Sequence, residues 1–414
     1  KELGGWSRIA ECLEASSPMA AIHFLHKSIL LLLVLLVQPA DTFSTSTPPR
    51  APPLPGLLPR HISQRKAAGS MQGARMQTSA RGAAALQPHL VGKRVLGLGV
   101  AAVDFIATVD HFPQPDDKIR STSFSMQGGG NCANTLTCVR RLGVEAILAT
   151  KLGKDANGNS IISELNDDGV STSLCICKEG LDSPFTYIIV DDATHTRTCI
   201  HTPIQEELLE EEVAAEWLDG VSLLHLDSRN TRASIKLAKL ARERSIPVVL
   251  DAEKDRPYMR ELLPLADVIV TNSKYPLVFD SAGFVQGMQA LLQLGSAKMI
   301  ISTQGDRGCT ALVRGEDGGG AYEKITTEHM LVSGEPCTVY TCPALRVEEV
   351  VDTTGAGDSF IGGVIYGVLN DWKIDRILMF ASYVASRKIQ GRGAREGIPR
   401  WEDIPEAVKS GIQE

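Results

Sequence analysis

The run Val351-Asp-Thr-Thr-Gly-Ala-Gly-Asp-Ser-Phe-Ile-Gly-Gly363 holds the residue types best suited to chemistry in this chain. Three small residues in a row, Gly355, Ala356 and Gly357, allow successive backbone N–H groups to be presented where a helical pattern begins and runs on through Val364 to Leu369. Donors at a helix N-terminus bind anions and suit a phosphoryl group in transit. Asp358 follows at once. A carboxylate beside developing negative charge repels phosphate unless its task is to take a proton from an attacking hydroxyl, so Asp358 is the expected general base. The same residues also fit a plain helix start capped by Gly and Asp under a turn. Gly362, Gly363 and Gly367 fall inside that helix at a cost of about 1 kcal/mol each relative to Ala, which close packing against a sheet or ligand would explain.

Such a site needs elements to position it. A β-rich run opens at 94–100, and further apolar β-rich runs occur at 221–226, 247–250, 268–270 and 299–302, with helical patterns between most of them. Residues 233–244 show one such helix, where Ile235, Leu237, Ala238 and Leu240 form an apolar stripe between Lys and Arg. Strands alternating with helices predict an α/β fold with a mainly parallel central sheet and helices on both faces. Polar residues cluster just after the strand ends: Asp227-Ser-Arg229, Asp251, Thr271-Asn272 and Thr303. The carboxyl ends of parallel strands are where such folds bind ligands. Two further strand-like pieces, at 105–109 and at 185–190 with 196–201, predict a small β-sheet attached to the large one. The acidic cluster at 206–212 reads as a solvated helix face.

Composition narrows the partners. In 414 residues, 43% are hydrophobic and 22% charged, enough for a sizeable core in one large domain or two smaller ones. The formal net charge of -7 offers no broad basic field, so a small molecule is expected and nucleic acid is not. Nine cysteines without paired CxxC spacing indicate neither a zinc site nor a disulfide framework, and Cys175 and Cys177 read as packing residues. The apolar run 29–37, with Lys27 ahead of it and Gln38-Pro-Ala40 behind, has the length and flanks of a signal-peptide core and is too short to span a bilayer. From Thr42 to Val103 there is no Asp or Glu, while Arg50, Arg60, Arg65, Lys66, Arg75 and Arg81 are set among Ser, Thr, Pro and Ala. Residues 1–93 therefore read as a disordered targeting leader, signal-like over 19–40 and transit-like over 41–93, with Met19 as a plausible start. This resembles the bipartite leaders of algae with secondary plastids, which implies plastid localisation and no membrane segment in the mature form; an ordinary secreted protein is the alternative. The folded domain is then expected over 94–414.

The run from Asp352 to Val364 resembles the C-terminal motif of the ribokinase-like (pfkB) kinases along its whole length, and Gly129-Gly-Asn-Cys-Ala-Asn134 is similar to that family's N-terminal GGxxxN. The resemblance covers the chain from about Arg94 to its end. It implies an ATP-dependent kinase that phosphorylates a hydroxyl of a sugar or related small molecule, with Mg2+ and in some relatives K+, and with lid segments near 105–127 and 183–203 through which relatives form homodimers. Position by position it implies that Asp104, Gly129, Gly130 and Asn134 bind the acceptor. Asn272, Thr303, Gly305, Arg307, Gly308 and Gly393 would bind the nucleotide. Mg2+ would be held through Asn272 with Asp251 or Glu253, and K+ through Asp352 and Thr354. Read without it, Asp104 is a turn residue, 128–130 a linker and 303–308 a β-turn.

One departure stands out. The family's Asn-x-x-Glu is here Asn272-Ser-Lys-Tyr275, so the glutamate that helps to organise magnesium is missing from its place. Plastid fructokinase-like scaffold proteins of the same family, which serve transcription without catalysis, are therefore a second expectation. A nucleoside such as adenosine or pseudouridine is an alternative acceptor. A dinucleotide oxidoreductase built on Gly97-Leu-Gly99 is disfavoured by the missing third glycine. The accepting sugar is not legible, and Arg197 and Arg229 are the residues that would reach an anionic group on it.

Overall fold

The structure is a computed structural model that describes residues 83–194, 196–315, 322 and 324–411. In chain order the strands are β1 (Arg94–Leu98), β2 (Ala102–Val109), β3 (Ser123–Gly129), β4 (Glu145–Gly153), β5 (Ser171–Lys178), β6 (Phe185–Asp191) and β7 (Thr196–Thr202). They continue as β8 (Leu223–Leu226), β9 (Val248–Ala252), β10 (Val268–Asn272), β11 (Met299–Thr303), β12 (Cys309–Arg314), β13 (Thr326–Val332) and β14 (Glu335–Cys342). The helices used below are α1 (Asn131–Arg141), α2 (Ala156–Asp167), α3 (Thr231–Glu243), α4 (Phe284–Gln293), α5 (Ala356–Leu369) and α6 (Ile374–Lys388).

Ten strands form the large sheet in the order β13-β14-β12-β11-β10-β9-β8-β1-β4-β5. From β11 to β5 every neighbouring pair is parallel, and β12, β14 and β13 add an antiparallel edge. Alternation along the central strands sorts side chains into two apolar cores. Val95, Val249, Val270 and Ile301 belong to one, with α1, α5 and α6; Leu96, Leu224, Leu250, Ile269 and Ile300 belong to the other, with α3 and α4. Strands buried on both faces read as continuous apolar runs, which is why the sequence located them. The expected glycine contacts are present: a Cβ on Gly362 would meet Cys138 of α1, and one on Gly363 would come 2.6 Å from the Ala381 backbone of α6.

The second sheet has four strands in the order β3-β2-β6-β7, with β2 and β6 parallel. It covers the segments expected at 105–127 and 183–203, except that its first strand begins at Ala102. Asp104 therefore lies inside β2 and not at the end of the first strand. In register, Gln127, Asp104, Thr186 and His201 make one row across this sheet, while Met126, Phe105, Tyr187 and Ile200 make the adjoining row. Opposed residues share a face and successive residues do not, so one face is polar and the other apolar.

Two expectations are revised. Packed chain starts ahead of residue 94: Ala84 and Leu90 are buried, and the Gln87 N–H donates to the Gly143 carbonyl at 2.8 Å. The leader as far as residue 82, with its signal-like run, lies outside the described residues. The acidic cluster at 206–212 is not merely a solvated face, because Glu206 and Glu212 close on the buried Lys151 ammonium at 2.7 and 2.8 Å. The described cysteines are all free thiols, and among the described residues no helix is long and apolar enough to cross a membrane.

Candidate active site

Gly355 caps α5 with φ 73°, a left-handed conformation that glycine adopts freely, and a Cβ there would lie 2.6 Å from the Ala394 carbonyl oxygen. The first turn of a helix leaves its N–H groups without intrahelical partners. Here the Ala356 N–H is already given to the Thr353 carbonyl at 3.2 Å, so the free first-turn donors are those of Gly357 and Asp358. Of the three residues expected to offer N–H groups to an anion, Ala356 is thus already paired, and the Asp358 backbone joins Gly357 as a free donor among the described residues. Nothing stands within 4 Å of where a Gly357 Cβ would be, which leaves that approach open to a ligand.

Asp358 is 8% exposed and its Oδ2 accepts a 2.8 Å hydrogen bond from Asn134 Nδ2. Burial pushes its carboxyl up to about 7, with Glu253 and Asp227 adding to the rise and the Asn134 amide and Arg395 opposing it. Asn134 Oδ1 in turn accepts from Arg395 Nε at 2.9 Å. A guanidinium only donates, so Arg395 fixes which way the Asn134 amide faces and sends its NH2 to Asp358, where it needs an acceptor. That arrangement favours the ionised carboxylate. Arg395, 4% exposed, also reaches Glu164 at 3.1 Å and the Gly129 carbonyl at 3.0 Å. Sequence reasoning passed over it; the signal was a lone cation between Ala394 and Gly397 in a run of small residues.

The residues expected to bind an acceptor lie where the polar row of the small sheet meets the carboxyl ends of β8 and β9. Asp104 is buried, which pushes its carboxyl up to about 6 against the Thr186 hydroxyl and Arg395. The space that a Gly129 Cβ would fill is taken by the Asp104 carboxylate, and Gly130 has φ 93° with the Val100 carbonyl against it. Gly129, Gly130, Asn134 and Asp104 are thus brought together with Asp358, as expected. Asp227 accepts from the backbone N–H groups of Val100 (2.7 Å), Arg229 (3.0 Å) and Cys132 (3.3 Å), tying β8 to the start of α1. Asn131 Nδ2 donates to Asp251 at 3.2 Å; burial, then the charges of Glu253 and Asp358, hold the Asp251 carboxyl well above the usual carboxylate range. Arg229 and Arg256 follow the ends of the paired strands β8 and β9. Their guanidinium groups make no hydrogen bond or ion pair among the described residues, and the buried Nε of Arg256 is unpartnered. Both charges act on His201, whose imidazole is held below its ordinary value mainly by burial.

Of the residues expected to bind nucleotide, Asn272 and Thr303 are register partners at the ends of β10 and β11, and Thr303 Oγ1 donates to the Thr271 carbonyl at 3.3 Å. Gly305 (φ 63°) and Gly308 (φ 91°) shape the turn into β12, where Arg307 is exposed. Asn272 differs from its expected role. Its Oδ1 accepts from the N–H groups of Lys274 and Tyr275, both at 3.0 Å, and its Nδ2 donates to the Glu253 carbonyl at 3.0 Å. The side-chain oxygen is filled, so Asn272 positions Glu253 instead of ligating a metal. Tyr275 is 1% exposed and packs on Phe279 with ring centroids 5.3 Å apart, so the residue in the glutamate's place is part of the core. Among the described residues no three of His, Cys, Asp and Glu are arranged to hold an ion. Asp251 and Glu253 nevertheless fit Mg2+ carried on nucleotide phosphates, which needs only one or two carboxylates; they are hard oxygen donors whose mutual repulsion such an ion relieves.

The expected K+ position is filled differently. Asp352 Oδ1 accepts from the Thr354 N–H (2.8 Å) and hydroxyl (2.7 Å), and Oδ2 from the Gly393 N–H (2.8 Å). The Asp352 carbonyl accepts from Lys388 Nζ at 2.8 Å. Across the same loop, Arg197 of β7 donates to Thr353 Oγ1 at 2.6 Å and lies 3.6 Å from Asp352. Arg197 therefore serves the lid and not the acceptor end.

A mainly parallel sheet that keeps a buried carboxylate at a helix N-terminus, facing a detached four-stranded cover, is the ribokinase-like arrangement. The chain belongs to the pfkB family of carbohydrate kinases, phosphotransferases that act on hydroxyl groups: the sequence profile described as "pfkB family carbohydrate kinase" matches residues 93–401. An ATP-dependent ribose-1-phosphate kinase of Halopiger xanaduensis is 27% identical over 305 residues, covering 73% of this chain and 94% of its own length. The chain spans 55% of a bifunctional ribokinase/ribose-5-phosphate isomerase A of Fructilactobacillus sanfranciscensis, at 23% identity over 320 residues. The ribokinase of Arabidopsis thaliana, solved with ribose and ATP, has the same fold with a TM-score of 0.64 and 22% identity, covering 77% of this chain and 99% of that one.

Proposed function

We propose that this protein transfers the γ-phosphoryl group of ATP to a hydroxyl of a sugar, with Asp358 as the general base. The observation that carries this reading is the Arg395–Asn134–Asp358 relay, which holds a carboxylate ready to accept a proton beside two unpaired backbone N–H groups. Asp104, Asn134 and the Gly129–Gly130 backbone bind the acceptor and turn one hydroxyl toward Asp358. The carboxylate takes that proton as the oxygen attacks, and the N–H groups of Gly357 and Asp358 meet the charge that gathers on the transferring group. Asp251 and Glu253 would hold Mg2+ carried on the nucleotide phosphates, where it would neutralise their charge. The small sheet, latched by Arg197, excludes water.

A second reading of the acceptor is an anionic sugar, a phosphate ester or sugar acid. It is favoured by Arg229 and Arg256, whose guanidinium groups make no hydrogen bond or ion pair among the described residues and act on His201 at the end of the polar row. A panel of sugars, sugar phosphates, sugar acids and nucleosides, each incubated with ATP and Mg2+ and followed by mass spectrometry, tests both. Phosphorylation by the wild type and none by Asp358→Asn is expected. Equal product from the two proteins would sink the assignment of the base, and no product from any acceptor would favour a non-catalytic scaffold.

Two further readings belong with this one. Residues up to 82 direct the protein to a plastid, and an N-terminal fluorescent fusion that is secreted from an algal cell would refute this. The apolar face of the lid, where Tyr187 and Ile200 are 52% and 53% exposed, pairs with a second copy of the chain. Sedimentation at micromolar concentration should give the dimer mass, and Tyr187→Lys the monomer mass.

A further inference from the structure

We infer that the ammonium of Lys388 is a built-in monovalent cation, standing where a K+ ion would bridge the Asp352 and Gly391 loops, so that the protein works without K+. This rests on the kinase reading for its activity arm only.

Lys388 is fully buried. Its side chain comes from the last turn of α6 and is 0% exposed, an unusual place for a lysine. A buried ammonium persists where oxygens replace its water. Nζ donates to two backbone carbonyls on different loops, Asp352 at 2.8 Å and Gly391 at 3.4 Å. A small positive charge coordinated by main-chain carbonyls from two loops is what a desolvated K+ ion requires, and an ammonium offers the same charge with three directed donors. Both oxygens of the Asp352 carboxylate are meanwhile occupied by Thr354 and Gly393. The loop therefore presents a metal with neither an empty centre nor a free carboxylate.

The loops that the ammonium joins are those that shape the site. The N–H groups of Val351 and Asp352 both donate to the Ile389 carbonyl, at 2.8 and 3.1 Å, and the Gly393 N–H donates to Asp352. Gly355 then packs against Ala394, so the seam runs directly into the start of α5 and its free donors. Holding that seam closed sets where Gly357 and Asp358 stand. Lys388 touches neither substrate nor nucleotide in this account and is a positioning residue.

The test uses the full chain and three proteins, the wild type, Lys388→Ala and Lys388→Arg, each in choline, sodium and potassium buffers of equal ionic strength. Turnover and melting temperature of the wild type should be the same in all three. Lys388→Ala in choline should lose roughly 10- to 100-fold in turnover, the range for a lost charge-assisted hydrogen bond. K+ or NH4+ should restore both its turnover and its melting temperature. Activation or thermal stabilisation of the wild type by K+ would overturn the inference, as would a folded Lys388→Ala that no monovalent cation rescues. If Lys388→Ala does not fold, Lys388→Arg carries the test. It keeps the charge with a larger head, and should stay insensitive to K+; K+-dependent activity or melting in that variant would also count against the idea. A wild type that phosphorylates no acceptor would sink the kinase reading while the melting arms still decide the cation.

Discussion

At the scale of single residues, the Asp358 carboxyl is raised to about 7, mainly by burial. A base in that range works only once it is ionised, so kcat/KM should climb with pH and level off above a midpoint near 7, as read from initial rates across a constant-ionic-strength buffer series. Asp358→Asn should lower kcat by roughly 10²–10⁴-fold. Arg395 holds the Asp358 carboxyl down, so Arg395→Met should move the midpoint of the same profile upward, and Arg395→Lys should return part of that shift but not the geometry of the guanidinium fork. A change in rate with no change in midpoint would mean that Arg395 is only structural. These residues differ in how well the sequence displayed them. Asp358 and Asn134 stood in motifs with distinctive spacing, whereas Asp104 was picked out only by the family resemblance. Arg395 and Lys388 stood in no such motif, because a buried cation is defined by partners far away in the chain, here residues 129, 134, 164 and 352; the small residues around Arg395 were the one local sign.

At the scale of elements, five parallel strands, β1, β8, β9, β10 and β11, were legible because burial on both faces makes each a short apolar run, and their ends were found within a few residues; β4 and β5, which mix Lys, Ser, Thr and Cys into their apolar residues, were not. The 3-10 turn over Pro88–Leu90 was not, since its packing depends on Gly143 beyond the far end of α1. Nor was the fate of Tyr275, whose turn points it into the core while Asn272 holds Glu253. The seam between the Asp352 and Gly393 loops gives an element-level prediction. Gly393 has φ 62° and Gln127 occupies the space of a Cβ, so Gly393→Ala should cost about 1–3 kcal/mol in chemical denaturation, as for other strained backbone positions. Arg197→Ala should loosen the lid where it meets Thr353 and increase ATP hydrolysis relative to sugar phosphorylation, measured as ADP formed per product; an unchanged ratio would remove Arg197 from the latch.

At the scale of the whole molecule, charge is unevenly spent. Burial raises the carboxyls of Asp104, Asp227, Asp251 and Asp358, which gather around the carboxyl ends of β8 and β9. A carboxyl whose folded pKa is raised favours the fold fully below its unfolded pKa, near 4, and loses that contribution as pH rises through the folded value. For Asp104 and Asp358 the loss spans about 4 to 7. Glu206, held down to about 2 by its hydrogen bond to Lys151, acts in the opposite sense and is lost only in strong acid. The melting temperature without nucleotide should therefore fall between pH 5 and pH 8, and Mg2+ with ATP should reduce that fall. A flat profile from differential scanning fluorimetry would show that the cluster is not desolvated as described.

The pairing of β2 with β6 has a consequence for how the chain reaches this state. The two strands are adjacent in the lid, yet β4, α2 and β5 lie between them in sequence and must first be laid down on the large sheet. Closing so long a loop early costs chain entropy that few contacts return, so the small sheet forms late. It is also held by fewer buried apolar residues than the strands beneath it, and its amides should exchange with solvent sooner than those of β1, β8 and β9. The part of the protein that assembles last is then the part that opens first, and the small sheet can move without disturbing the large sheet against which α5, with Asp358, packs.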